Sequence, residues 1–287
     1  MYLIDECSYS CTVDNQHNST IVSKVSYLDK EKEITVSLLV DINTFHVIDS
    51  WYEVFRNPDK SLLGFHEIEK LKGYEAYLNA GKVIRTIEEP NHNSNLKELV
   101  RECVRGVIQA ENNLYRHRGF SNAKDYFESW NVKNKDNCYR FSNLDKEIKE
   151  TKQKDYILEL SYLRKNNLFN CHQNYKLLEI EKILYAIGVF SDSFHNYNLT
   201  ISYKRETGDI TGCFGDMRIA PNDICRKGIT NLDKFIGMNI ERINYEEINK
   251  IVGGSFGCVH FENLSRKLIN TIKRNHNFEH MEKLDDV

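Results

Sequence analysis

Alternating apolar and polar positions predict β-strands in two separate regions of the chain. β-Branched and aromatic residues dominate these segments, and charged or glycine-containing turns separate them. Short strands joined by tight turns are typical of antiparallel hairpins. Each region is therefore predicted to begin with antiparallel strands, at Ile21–Tyr27, Ile34–Val40 and Phe45–Phe55 in the first and at Ile183–Phe190, Asn198–Lys204 and Ile210–Ile219 in the second.

Apolar residues spaced three and four positions apart follow the strands in both regions and predict helices. One helix is expected behind Asn244-x-x-Glu247, which has the form of a capping box, and the Gly253-Gly254 pair is expected to end it. A last amphipathic helix follows Cys258, and a similar helix closes the first region. Strands followed by helices indicate an α+β fold.

Three landmarks recur along the chain at a near-constant interval. The offsets are 165, 163 and 164 residues, measured from 34 to 199, from 58 to 221 and from 73 to 237. Such self-similarity indicates a duplicated unit. We therefore predict a tandem duplication of an antiparallel three-stranded sheet with helices packed on one face. Residues 1–110 are expected to form the first repeat, 111–168 a helical connector, and 169–287 the second repeat.

Charge and composition exclude several classes of protein. The 39 basic and 42 acidic residues give a formal charge of −3, whereas nucleic-acid-binding proteins usually carry a basic excess. The most apolar stretch, Ile183–Phe190, is much shorter than the ~20 residues of a membrane helix, and the first residues lack the features of a secretory signal. We expect a cytoplasmic protein without nucleic-acid or membrane partners, whose eight cysteines are thiols. Whether the protein binds another protein stays an open question.

Two cysteines and one histidine of the second region form the candidate site. Cys225 is expected just after the last strand, and Cys258 and His260 lie where the glycine-rich turn meets the last helix. The free N–H groups at a helix start favour a thiolate. Two thiolates and an imidazole suit zinc or an iron–sulfur cluster. We therefore predict a metal site at Cys225, Cys258 and His260.

Other interpretations of these residues stay open. The candidates for a fourth ligand are solvent and three nearby side chains, Cys213, Asp216 and Asp223. In the first region, Asn93 and Asn95 take the places of the cysteine and histidine, which confines the site to the second region. Because buried cysteines are often inert, the alternative function is a non-catalytic, pseudo-dimeric interaction module with structural cysteines. A third hypothesis makes Cys258 a nucleophile with His260 as its base.

The last 90 or so residues contain a proline–cysteine turn (Pro221–Cys225), a Gly-Gly turn (Gly253-Gly254) and the closing stretch Gly257–Phe261. These features resemble a bacterial family, the domain of unknown function 2889, whose closing motif is Gly-Cys-Thr-His-Leu. Valine and phenylalanine replace the threonine and leucine here. More distantly, the layout resembles the U-type iron–sulfur scaffold and sulfur-acceptor fold. That resemblance implies a metal-binding or sulfur-handling, scaffold-like protein that uses Cys225 and Cys258.

Overall fold

The computed structural model of the protein describes residues 1–17, 19–90, 95–144 and 163–285, with side chains described as far as residue 275. The strands in these residues are β1 Tyr2–His17, β2 Thr20–Asp29, β3 Glu33–Asp41, β4 Val47–Arg56, β5 Gly64–Glu67, β6 Phe169–Ile180, β7 Ile183–Asp192, β8 Asn196–Lys204 and β9 Ile210–Ile219. The helices are α1 Gly81–Thr86, α2 Leu96–Leu114, α3 Ala123–Lys133, α4 Tyr245–Val252 and α5 Val259–Asp285. Short 3-10 helices lie at Lys60–Leu62, Glu69–Leu71, Asp223–Ile229, Leu232–Phe235 and Gly254–Phe256.

The nine described strands form one sheet in the order β5-β4-β3-β2-β1-β6-β7-β8-β9. Every strand pair with a defined register is antiparallel. The prediction of tandem repeats, each with its own three-stranded sheet, is wrong, because it lacked β1 and β6, which lie in the middle of the strand order. An unpaired strand edge exposes a row of N–H and C=O groups. Two additional central strands satisfy these groups within a single sheet.

Contacts divide the chain into two compact units. The N-terminal unit contains the described residues within 7–126 and 163–172, and the C-terminal unit contains those within 1–6, 127–144 and 173–285. This division does not test the expected repeat boundaries at residues 110 and 168, which stay a prediction. Residues 145–162 of the predicted helical connector lie outside the described residues. No helix in the described part of the chain is both long enough and apolar enough to cross a membrane.

In the N-terminal unit, α2 packs against one face of β1, β2 and β3. Gly106 of α2 permits this contact, because a Cβ there would lie 2.7 Å from Cys11 Sγ and 3.0 Å from Ser23 Oγ. Ser23 donates a hydrogen bond to the carbonyl of Cys103 (2.8 Å), and the Cys103 thiol donates to the carbonyl of Val36 (3.5 Å). Burial raises the pKa of both cysteine thiols, so Cys11 and Cys103 are core residues.

In the C-terminal unit, α5 packs against β7 and β9 at two glycines. A Cβ at Gly188 would lie 2.9 Å from Leu264 Cδ1, and a Cβ at Gly215 would lie 2.6 Å from Phe261 Cζ. The large side chains of α5 therefore occupy the space above the glycines of the sheet. This close contact fixes the start of α5, where the candidate site lies.

The predicted capping box of α4 is confirmed. The Asn244 side chain accepts a hydrogen bond from the Glu247 N–H (3.0 Å), and the Glu247 carboxylate accepts one from the Asn244 N–H (2.9 Å). The helix ends at Val252, and Gly253 follows as its C-cap, as the sequence predicts. The end of α4 thus determines where the following turn presents Cys258.

Candidate functional site

Cys258 lies at a tight turn between α4 and α5. Its backbone N–H donates a hydrogen bond to the carbonyl of Val252 (2.7 Å), which closes the turn. Gly257 lies within this turn, and a Cβ at that position would lie 2.1 Å from the Val252 oxygen. Because backbone atoms cannot move aside as a flexible side chain can, only glycine fits before Cys258.

The segment that follows α3 contacts the same turn. The backbone N–H of Tyr139 donates a hydrogen bond to the Gly257 carbonyl (2.8 Å). The preceding residue, Cys138, is half-buried and forms no disulfide. The segment that contains Cys138 therefore lies against the turn that presents Cys258. Cys138 was not among the residues predicted for the site.

The 3-10 helix Asp223–Ile229 also contacts this turn. A Cβ at Gly228 would lie 2.9 Å from the Gly257 oxygen and 3.4 Å from the Cys258 nitrogen. Cys225 belongs to this 3-10 helix, is half-buried and forms no disulfide. Three segments that are distant in sequence, each with one thiol, thus meet at a single turn.

Burial raises the pKa of the Cys258 thiol to about 12. The N–H groups of Phe261 and His260 at the start of α5 lower this pKa, and the nearby thiols of Cys138 and Cys225 raise it. The helix start therefore acts in the predicted direction, but the free energy of placing a thiolate in a buried site outweighs it. At neutral pH Cys258 is a protonated thiol, which disfavours the hypothesis of a nucleophilic Cys258.

His260 contacts both Cys258 and a second histidine. Its Nδ1 lies 4.0 Å from Cys258 Sγ. Its ring centroid lies 4.2 Å from that of His195, with an angle of 40° between the ring planes. His195 is only 7% exposed, whereas His260 is half-buried. The cluster thus combines a thiol with two imidazoles, which are donors that soft transition metals prefer.

Asp192 fixes the orientation of the His195 ring. His195 Nδ1 lies 3.0 and 3.1 Å from the two carboxylate oxygens, and the backbone N–H groups of Phe194 and His195 each donate to Oδ1 at 2.7 Å. Burial raises the pKa of Asp192, whereas the charges of His195 and His260 and these hydrogen bonds lower it. The lowering effects are larger together, so the pKa lies below its ordinary value of 3.8. Because an ionised carboxylate only accepts hydrogen bonds, His195 carries a proton on Nδ1.

Aromatic side chains surround the two histidines. Phe190 and Tyr197 stack with their ring centroids 4.6 Å apart and their planes at 7°. The His260 centroid lies 6.3 Å from that of Phe190 and 6.4 Å from that of Tyr197. Because such rings exclude water, they strengthen the electrostatic interaction between the carboxylate and the imidazole of His195.

Three members of this cluster were missing from the sequence prediction: Cys138, Asp192 and His195. Asp192 and His195 flank the turn between β7 and β8, and an aspartate at the start of such a turn often accepts backbone hydrogen bonds. That spacing is a signal from which the pair could have been predicted. Cys138 offers no local signal, because the hydrogen bond that brings its segment to the turn joins residues 118 positions apart (139 to 257).

The two aspartates predicted as fourth ligands have other partners. Asp216 forms an ion pair with Arg218 (3.6 Å), and Asp223 forms one with Arg226 (2.5 Å). The third candidate, Cys213, lies in β9, and burial followed by the charge of a nearby aspartate raises its pKa to about 12. None of the three has an interaction with Cys258 that would single it out as the fourth ligand.

The two asparagines of the first region give little further information about the site. Asn93 lies outside the described residues. Asn95 precedes α2, where its side chain makes no capping hydrogen bond. The expectation that the site is confined to the second region therefore stays a prediction.

The described residues contain no formed metal site. Among them, no group of three or more His, Cys, Asp or Glu side chains is arranged so that it could hold a metal ion. Cys225, Cys258 and His260 belong to one neighbourhood, but their donor atoms do not make a coordination sphere. The predicted metal site at these residues stays a prediction.

The segment that contains Asp192, His195, Cys225, Cys258 and His260 is similar to a known family. Residues 184–274 match the family model described as "Protein of unknown function (DUF2889)". This match supports the expected resemblance over about a third of the chain, although it does not by itself support the Gly-Cys-Thr-His-Leu motif. The region before residue 184, which includes the segment after α3, lies outside the match.

The expected resemblance to the U-type iron–sulfur scaffold and sulfur-acceptor fold is not supported. No curated protein and no solved structure matches the chain. The resemblance depended on a small unit with one cysteine after a hairpin and another at the entry of the last helix, whereas the described strands form a single nine-stranded sheet. The iron–sulfur interpretation therefore loses the fold argument that favoured it.

Proposed function

We propose that Cys138, Cys225, Cys258 and His260 bind a transition-metal ion, with zinc as the preferred metal. The observation that carries this proposal is the meeting of three chain segments, each with a cysteine that forms no disulfide, at the turn of Gly257. Three thiolates and one imidazole are a ligand set that holds zinc tetrahedrally in structural sites. In this proposal Cys138 is the fourth ligand that the sequence left open.

The spacing of Cys258 and His260 supports this role. Zinc lies about 2.3 Å from a thiolate sulfur and about 2.1 Å from an imidazole nitrogen, so two such ligands at a tetrahedral angle are about 3.6 Å apart. The distance between Cys258 Sγ and His260 Nδ1 is 4.0 Å. A shift of a few tenths of an ångström would therefore bring both atoms onto one ion. In this proposal the half-buried Cys138 and Cys225 supply the other two ligands.

Asp192 and His195 would support the site from outside the coordination sphere. The His195 ring lies against His260, and the Asp192 carboxylate holds it in place. Partners of this kind fix the orientation of ligands and adjust the affinity for the metal.

Metal binding by this ligand set depends strongly on pH. Zinc binds thiolates, so each cysteine must release its proton on binding. Because burial raises the pKa of Cys258 to about 12 in the metal-free protein, a proton held tightly at neutral pH must be displaced. We therefore expect the apparent affinity for zinc to fall steeply as the pH is lowered from about 8 to 6.

A cobalt titration of the full-length, reduced protein tests the proposal. Co²⁺ reports tetrahedral coordination through its visible bands, and sulfur-to-cobalt charge transfer reports the number of bound thiolates. We expect one Co²⁺ per chain, displaced by Zn²⁺. Cys138→Ser, Cys225→Ser and Cys258→Ser should each weaken the charge-transfer band by about a third, and His260→Asn should change the visible bands while the charge transfer remains.

Cys213→Ser is the matched control, because Cys213 is also a half-buried thiol of the C-terminal unit but lies in β9. It should bind cobalt as the wild-type protein does. Circular dichroism of every variant separates lost binding from lost structure. Absence of stoichiometric cobalt or zinc binding by the wild-type protein would refute the proposal, as would binding that the three site cysteine variants leave intact.

A non-catalytic interaction module with structural cysteines is the second candidate, and the burial of the protonated Cys258 thiol favours it. The pseudo-dimeric form of this hypothesis is wrong, because the described strands form one sheet instead of two repeated ones. If the cysteines serve only packing, Cys258→Ser should destabilise the protein, and added zinc should not change the stability of the wild-type protein. If the metal hypothesis holds, zinc should raise the wild-type unfolding temperature.

A further inference from the structure

Two aromatic rings and a carboxylate lie together on the face of the N-terminal unit opposite to α2. Residues 51 and 53 of β4 point to the same side of the sheet, because side chains alternate along a strand. Phe65 of β5 pairs directly with Glu53 in the register. The rings of Trp51 and Phe65 stack with their centroids 6.4 Å apart and an angle of 28° between them. We name Trp51, Glu53 and Phe65 the β4–β5 patch.

This patch is open to solvent. Phe65 is 59% exposed, and Trp51 and Glu53 are each half-buried. On the other side of β4, the residues that pair with Trp51 and Glu53 are Ser37 and Thr35. Both side chains are short and themselves buried, at 4% and 8% exposed, respectively, so they do not screen the ring of Trp51 or the carboxylate of Glu53 from solvent. The patch therefore offers ring surface and a carboxylate to a ligand from outside.

One lysine near the patch, Lys72, is shared by three carboxylates, and Glu53 is not one of them. Lys72 forms ion pairs with Glu69 (2.8 Å), Asp49 (3.2 Å) and Glu67 (3.6 Å). Glu53 makes no hydrogen bond and no ion pair within the described residues. Trp51 and Phe65 thus flank a carboxylate that has no ion-pair partner among the described residues.

A carboxylate next to aromatic rings is complementary to an organic cation. The face of a tryptophan or phenylalanine ring attracts a cation placed over it. A guanidinium group suits this patch better than an ammonium group, because it is planar, stacks on rings and binds a carboxylate with two parallel hydrogen bonds. We infer that the β4–β5 patch binds an arginine side chain of a partner protein.

The inference is tested with a short peptide that contains one arginine between glycines. Trp51 and Trp130 are the two tryptophans of the chain, so Trp130→Phe leaves Trp51 as the sole fluorescent reporter. We expect saturable quenching at millimolar or lower peptide concentration. A peptide with citrulline, which keeps the shape of arginine without its charge, should bind about tenfold more weakly.

Two variants should lower the affinity for the arginine peptide by about five- to tenfold. Glu53→Gln removes the charge, and Phe65→Ala removes the exposed ring. Glu31→Gln is the matched control, since Glu31 is an exposed carboxylate of the same unit outside the patch, and it should leave the affinity unchanged. Equal affinity of wild type and Glu53→Gln, or equal binding of the two peptides, would overturn the inference. Saturable binding of a neutral oligosaccharide in place of the arginine peptide would also overturn it.

Discussion

Replacing Gly257 with alanine tests whether close backbone contact brings the three thiol-bearing segments together. Gly257 has φ −123°, which alanine adopts without strain, so the effect of the substitution is steric. The new Cβ would lie 2.1 Å from the oxygen, 2.2 Å from the carbon of Val252 and 2.5 Å from the nitrogen of Gly253. All three are backbone atoms, so no rotamer change relieves the contact.

The size of the effect follows from these distances. A carbon needs about 3.4 Å from its neighbours, so the turn must open by roughly 1.3 Å against the 2.1 Å contact. Such a movement breaks the hydrogen bonds from Cys258 N to Val252 O (2.7 Å) and from Tyr139 N to Gly257 O (2.8 Å). Two hydrogen bonds at about 1 kcal/mol each and about 1–3 kcal/mol of overpacking predict a loss of about 3–5 kcal/mol in the free energy of unfolding.

Gly254→Ala is the matched control within the same turn. Gly254 has φ +60° and no atom closer than 4.0 Å to a new Cβ, so alanine there should lose only about 1–2 kcal/mol through backbone strain. Urea denaturation followed by circular dichroism measures both variants. If Gly257→Ala is destabilised no more than Gly254→Ala, the contact does not hold the turn, and our account of how Cys138 and Cys225 reach Cys258 is wrong.

Two further predictions concern the ionisable groups of the site. Because the pKa of Asp192 is lowered below 3.8, its stabilising effect is present above that pH and is lost as the pH falls through the folded-state pKa. Asp192→Asn should therefore be about 2 kcal/mol less stable at neutral pH, and this difference should shrink as the pH falls below 3.8. Urea denaturation at each pH measures the difference, and a pH-independent difference would contradict this. Because the pKa of Cys258 is raised to about 12, mass spectrometry should find Cys258 alkylated by iodoacetamide at neutral pH only after unfolding, and rapid labelling of the folded protein would contradict the buried thiol.

Local patterns predicted local structure well. The predicted strand Ile21–Tyr27 lies within β2, and Ile210–Ile219 coincides with β9. The capping box before α4 and the glycine that ends it are formed as predicted. These features depend on residues within a few positions of each other, where alternation, capping side chains and glycine have direct physical consequences.

The arrangement of the strands could not be predicted because β1 and β6 are atypical. In β1 the buried positions include Cys7, Tyr9 and Cys11, which do not form the β-branched pattern that marks the other strands. In β6 a buried glutamine, Gln173, interrupts the apolar positions and accepts a hydrogen bond from the buried Lys267 (2.9 Å). Buried polar residues form hydrogen bonds with each other in the core. In the sequence alone, such residues look like those of an exposed loop.

The candidate site shows the same limit. The positions of Cys258 and His260 at the start of α5 followed from local signals, whereas the direction of the Cys258 pKa depended on burial, which is a property of the fold. Helix-start N–H groups and desolvation act on the same thiol with opposite signs. Only the structure shows that desolvation has the larger effect here.

Gly257 and Cys258 are adjacent at this turn for two different physical reasons. Gly257 is required by contacts with the Val252 backbone, so its substitution would disturb the fold whether or not a metal binds. Loss of function in a Gly257 variant would therefore reveal nothing about chemistry. Cys138 gives the decisive comparison. Its side chain is half-buried, and it lies outside the family match. Cys138→Ser changes one donor atom and leaves the backbone hydrogen bond of Tyr139 in place. A metal site that needs Cys138 would be assembled from both matched and unmatched parts of this chain.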